Sequence, residues 1–174
     1  MAISDQEESP PQIVDGVTIY AGHKDWAMGE VGPCLIVLWR GVVTEAAVLQ
    51  INDQILSLTE RYPGKCAYLN VIEQSSPPPK APLRKIVMAG LTRPGKALTC
   101  LVAVIEGNPL RSALVRAIMT GMALLGPQGQ ATKFFGNTAD MSLWVNKRLS
   151  SAEDPDRDLD IVRAAEVSRR QMPA

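Results

Sequence analysis

The sequence predicts an α/β fold: a mixed, mostly parallel sheet in which an N-terminal β-hairpin is followed by βα repeats. Three observations predict it. Apolar runs of strand length recur at Cys34–Trp39, Ala67–Ile72, Leu98–Ile105 and Ala131–Phe135. Each is followed by a stretch whose apolar residues fall at helical spacing. Breaker pairs, Pro63-Gly64, Pro94-Gly95 and Gly126-Pro127, close three of those stretches. Strands alternating with helices pair in parallel, because a helix supplies the long crossover that parallel neighbours need.

Residues 1–12, rich in Ser, Glu, Gln and Pro, read as a disordered lead-in to a single domain over 13–149. Val17, Ile19 and Ala21 alternate with polar residues, and Trp26 and Met28 continue the pattern after a break. The segment Gly29–Pro33 then turns the chain into the first apolar strand, which gives the hairpin. In the first helix Thr44 is the N-cap, Glu45 sits favourably at the positive end of the dipole, and Val48, Ile51, Ile55 and Leu58 mark the inner face. The second begins near Lys80 or Pro82 and faces inward through Leu83, Ile86, Val87, Gly90 and Leu91.

Asn108 and Pro109 form a cap and first-turn pair for the third helix, whose stripe runs from Leu110 to Leu125. Ala113, Ala117 and Gly121, four apart, would let one edge of it approach a neighbour closely. The fourth helix starts after Asn137 or Thr138 and turns Met141, Trp144, Val145 and Leu149 inward. Residues 150–174 form a charged tail opened by the run Glu153–Asp158. The tail reads as disordered or as a short helix over 158–170 with a thin apolar face (Leu159, Val162, Ala165), and disorder or docking on a partner fits better than a second domain.

Composition narrows the function classes. Eighteen basic and eighteen acidic residues leave no net charge, so a nucleic-acid partner is not expected. The apolar runs are strand-length or interrupted by Arg, so no membrane partner is expected, and the N-terminus has the wrong composition for a signal peptide. Three scattered cysteines (Cys34, Cys66, Cys100) suit reduced thiols and a cytoplasmic location. All three fall near strand starts, where they read as small buried residues. With one histidine, His23, and no Cys-x-x-Cys, no metal site or other cofactor is expected.

In parallel sheets ligands approach the carboxyl ends of the strands. The chain places Arg40, Gly41 and Thr44 after the first core strand, Glu73, Gln74, Ser75 and Ser76 after the second, and Glu106, Gly107 and Asn108 after the third. Caps and turns supply such residues in any fold of this kind. Glu73 and Glu106 end strands that would be neighbours, so they could face each other as an acid–base pair. No glycine-rich phosphate loop accompanies them. The stretch Gln74–Pro82 holds three consecutive prolines, an extended and stiff connection. It can present Ser75, Ser76 and Pro77 to a partner, with the two serines as candidate phosphorylation sites.

The order of elements, with Ile36–Thr44 leading through Arg40-Gly41 into a Thr-capped helix, the Asn108-Pro109 helix start, then Phe134-Phe135 and Trp144, resembles the STAS family of anti-sigma-factor antagonist domains. Members switched by phosphorylation carry an Asp-Ser-Ser/Thr-Gly turn, where this chain has Glu73-Gln74-Ser75-Ser76-Pro77. The resemblance is therefore to a divergent, STAS-like branch lacking that motif. It implies a non-enzymatic regulatory module acting through protein–protein contact, with Arg40, Thr44, Glu73, Ser75, Ser76, Pro77 and Asn108 on the contact surface. The alternatives are a domain holding a small molecule or lipid against the sheet and, third, an enzyme using Glu73 or Glu106. The protein partner is not named by the sequence, and a homodimer is open.

Overall fold

A computed structural model of the chain describes residues 10–108, 113, 115–117, 120–121, 131–150 and 158–173. The antiparallel part begins with turns that the sequence dictates. Asp15 and Gly16 both take positive φ (50° and 78°), which suits the two central positions of a type I′ turn between β1 (Gln12–Val14) and β2 (Val17–Gly22). Gly32, at φ 51°, precedes Pro33 in the two-residue link from β3 (Trp26–Val31) to β4 (Cys34–Trp39). A left-handed glycine followed by the fixed negative φ of proline fits a type II′ turn.

β5 (Cys66–Ile72), β6 (Leu98–Ile105) and β7 (Ala131–Phe135) complete a seven-stranded sheet whose spatial order is the chain order. Pairings are antiparallel from β1 to β4 and parallel from β4 to β7. The fold is thus α/β with a mixed sheet, as predicted. The expected hairpin is in fact a four-stranded meander, so the pairings divide evenly and the sheet is not mostly parallel.

Helices α1 (Glu45–Arg61) and α2 (Ala81–Thr92) connect the parallel strands, and α3 (Thr138–Leu149) and α4 (Ile161–Arg170) follow β7. Thr44 caps α1 by accepting from the Ala47 amide at 3.3 Å, and Asn137 caps α3 by accepting from Asp140 at 2.8 Å. Of the stretch read as the third helix, the described residues 113, 115–117 and 120–121 are helical. Val115 among them is buried, whereas Ala113, Ala117 and Gly121, read as a close-packing edge, are exposed. Pro109 and most of the apolar stripe lie outside the described residues, as do residues 1–9 of the lead-in.

Each face of the sheet has its own core. Right-handed crossovers between strands added in sequential order put α1 and α2 on one face. There Ala47, Ile51, Ile55, Leu58 and Leu91 pack on Leu35, Val37, Tyr68 and Leu98. The other face, through Ile36, Leu38, Leu69, Val71, Val102 and Val104, is covered by α3 and α4. Period-two alternation along β4 to β6 sends successive residues to opposite cores, which is why these strands are apolar throughout.

The C-terminal stretch is a layer of the domain. Ile161, Ala164 and Val167 of α4 are fully buried, and Ala165 and Met172 are nearly so. Of the stripe expected, Ala165 is buried and Leu159 packs on the core, whereas Val162 lies at the margin and Ile161, Ala164, Val167 and Ser168 complete the buried face. Asn146 of α3 holds the segment in front of α4, donating to the Leu159 carbonyl at 3.0 Å and accepting from the Leu159 amide at 2.9 Å. Its amide thereby pairs with the backbone as a neighbouring strand would. The run 151–157 lies outside the described residues. Among the described residues no helix is long and apolar enough to cross a membrane.

Candidate functional site

The in-register ends of β4, β5 and β6 set Arg40, Glu73 and Glu106 side by side. Trp39 pairs with Ile72 and Ile72 with Ile105. The Glu73 amide donates to the Trp39 carbonyl at 2.9 Å and the Glu106 amide to the Ile72 carbonyl at 2.9 Å. The parallel ladder therefore continues one residue into the loops, and the three side chains leave the sheet at one level.

They form an alternating chain of charges, closed by a residue from the C-terminal helix. Arg40 Nε lies 2.9 Å from Glu73 Oε2. Arg169 Nε lies 2.9 Å from Glu73 Oε1, and Arg169 Nη2 lies 2.7 Å from Glu106 Oε1. Burial by itself would disfavour the Arg169 guanidinium, but the hydrogen bonds and charges of Glu106 and Glu73 outweigh that and raise its pKa. Sequence reasoning missed Arg169 because the segment carrying it reads as a solvated tail. Its position in the last turn of a helix with a strongly one-sided apolar pattern was the available signal.

Glu73 and Glu106 do occupy adjacent strands, but a guanidinium lies between them. Arg169 bonds to both carboxylates, so the pair forms a salt-bridge cluster. The cysteines sit far from this edge, fully buried at or near the starts of β4, β5 and β6, and none forms a disulfide. Among the described residues no three His, Cys, Asp or Glu side chains come together as metal ligands would.

The two serines fasten the proline loop to the loop after β4. Ser75 donates to the Arg40 carbonyl at 2.7 Å, and Ser76 donates to the Gly41 carbonyl at 3.0 Å. Ser76 is 2% exposed, so of the two candidate phosphorylation sites only Ser75 faces solvent. The Ser76 amide closes a turn on the Glu73 carbonyl at 3.0 Å, and the Arg84 guanidinium donates to the Pro79 carbonyl at 2.9 Å. Pro77 and Pro78, between these ties, are exposed.

Thr44 is occupied as a helix cap, and Asn108 is exposed beyond Gly107. Gly107 takes φ 120°, and the Gln74 side chain lies close to where its Cβ would be, which joins the loop after β6 to the proline loop. The structure thus gathers Arg40, Glu73, Ser75, Ser76, Pro77, Glu106 and, at its margin, Asn108 at one end of the sheet. Comparison with known proteins adds no relative: no family model matches the sequence, no curated protein matches it, and no solved structure matches the fold.

Proposed function

We propose that this chain is a STAS-like, non-enzymatic regulatory domain that works through protein–protein contact at the carboxyl end of its parallel strands. One observation carries the reading. The edge where such sheets usually place reactive groups is locked by the Arg40–Glu73–Arg169–Glu106 chain, while the loop beside it is pinned at both ends and holds Ser75, Pro77 and Pro78 out to solvent.

A prearranged loop suits recognition because little conformational entropy is lost when a partner settles on it. The prolines restrict φ, and both serine hydroxyls are already spent on backbone carbonyls. Ser75 is the one residue of the pair at which added phosphate would change the charge of the surface without first opening the core.

Affinity capture from a lysate of the source cells, with variants changed only on this surface, tests the reading. A protein retained by the wild type should be lost when Ser75→Asp is combined with Pro77→Ala and Pro78→Ala. It should be kept by a Leu143→Ser control on α3, where Leu143 is 73% exposed. A partner set unchanged by the loop variant would overturn the assignment.

A further inference from the structure

Behind the proline loop, on the face covered by α1 and α2, lies a cavity of about 60 Å³. Trp39, Val43, Ile72, Val87 and Val115 line it, and the prolines of residues 77–79 form its outer wall. None of the described residues lining it is charged. Asn70, from the middle of β5, also lines it and is 6% exposed.

The bonds of Asn70 fix which way its amide points. The Trp39 indole Nε1 can only donate, and it lies 3.3 Å from Asn70 Oδ1. The Tyr68 hydroxyl donates to the same oxygen at 2.9 Å. The carbonyl side of the amide is therefore used twice. Its NH₂ side is the opposite edge and meets no acceptor among the described residues. Leaving such a donor buried and unmatched costs about 1–3 kcal/mol, so natural interiors seldom keep one without a partner. A water in a mostly apolar cavity would find too few polar neighbours to fill that role well.

We propose that this cavity is a binding site for the uncharged, carbonyl-bearing end of a small molecule, with Asn70 Nδ2 donating to the carbonyl oxygen. A ketone, ester or amide fits the chemistry. A carboxylate does not, since it would lose its hydration beside apolar walls with one amide donor in exchange, and Arg40 is already bound to Glu73. A cavity of 150 Å³ holds a benzene ring, so this one takes roughly three or four heavy atoms, about an acetyl group. The remainder of the molecule would run outward along the rings of Pro77 and Pro78. This site lies under the loop and does not depend on the contact surface proposed for its outer side.

Titration with 2-hexanone, followed by ¹⁵N NMR of the side-chain NH₂ of Asn70 and the indole N–H of Trp39, tests the proposal. Both signals should shift saturably. Hexanoate, of the same chain length, should bind about tenfold more weakly or worse, because its charge gives up hydration beside apolar walls. Val87→Phe fills the cavity from α2 and should abolish the saturable shift while the rest of the spectrum is kept. Val43→Phe fills it from the loop before α1 and serves the same purpose if the first variant unfolds. No saturable shift at Asn70, a shift that survives both filling variants, or hexanoate binding as tightly as the ketone would each overturn the site.

Discussion

Replacing Gly29 with alanine tests whether α4 is a structural layer of this domain. Gly29 lies in β3 opposite Ile36, and a Cβ added there would overlap the Ser168 Oγ of α4 and approach Val17 Cγ1 to 3.2 Å. Ser168 is fully buried, and its hydroxyl donates to the Ala164 carbonyl at 2.9 Å, so the oxygen has no free space to move into. Gly29 is not among the positive-φ residues, so the backbone itself accepts alanine and gains about 0.5 kcal/mol from a less flexible unfolded chain. Overpacking costs about 1–3 kcal/mol. The net expectation for Gly29→Ala is a loss of about 1–2 kcal/mol.

Ser168→Ala removes the obstructing oxygen together with a hydrogen bond to its own helix, a loss below about 1 kcal/mol. The double variant should then be nearly as stable as Ser168→Ala alone, giving a coupling of about 1–2 kcal/mol between positions far apart in sequence. Urea unfolding followed by tryptophan fluorescence and circular dichroism, with midpoints compared at a common slope, measures all four proteins. Additivity within about 0.5 kcal/mol would refute the packing of α4 on β3.

Two further expectations follow from buried groups. Glu30 is 7% exposed and is held by Arg61 through Nη1 and Nη2, at 2.6 and 2.7 Å, and by the Tyr20 hydroxyl at 3.0 Å. Arg61→Ala should cost about 2–3 kcal/mol, below the figure for a fully buried pair because the arginine is partly exposed; a loss under about 0.5 kcal/mol in urea would show that Glu30 is solvated. Burial pushes the thiols of Cys66 and Cys100 up, to about 11 and about 12, from an ordinary value near 9. The folded state then keeps protons that the unfolded state releases, so stability should be full below pH about 9 and fall as pH rises toward the folded values. Urea midpoints across that range, together with thiol labelling that is slow in the native protein and complete in urea, check this; rapid native labelling of these two residues would contradict it.

Much of the sheet was legible because its signals are local. Strands β4 and β6 stand where apolar runs of strand length predict them, since a parallel strand buried on both faces needs such a run, and β7 stands where predicted although it is only partly buried. The Thr44 cap and the Pro-Gly stops were equally plain, each being fixed by the geometry of one turn, and the start of α3 was placed at Asn137 or Thr138. The meander was under-read because Asp15-Gly16, a strong hairpin signal, precedes only a short alternating strand and follows a polar lead-in. Of the site, the strand-end residues Arg40, Glu73 and Glu106 could be found by counting from strand ends. Their arrangement as a salt-bridge chain could not, because Arg169 comes from more than sixty residues beyond Glu106.

By itself the sequence determined the local order: which segments extend, which coil, where each stops, and which residues reach the carboxyl edge of the sheet. Only the tertiary structure decided that α4 covers the second face and that Arg169 separates Glu73 from Glu106. It alone decided, too, that Asn70, its carbonyl side already accepting from Trp39 and Tyr68, stands on the wall of a cavity. The physical reason is common to all three. Backbone propensity and hydrophobic period act within a few residues, whereas these contacts are chosen by which surfaces remain uncovered once the sheet has formed.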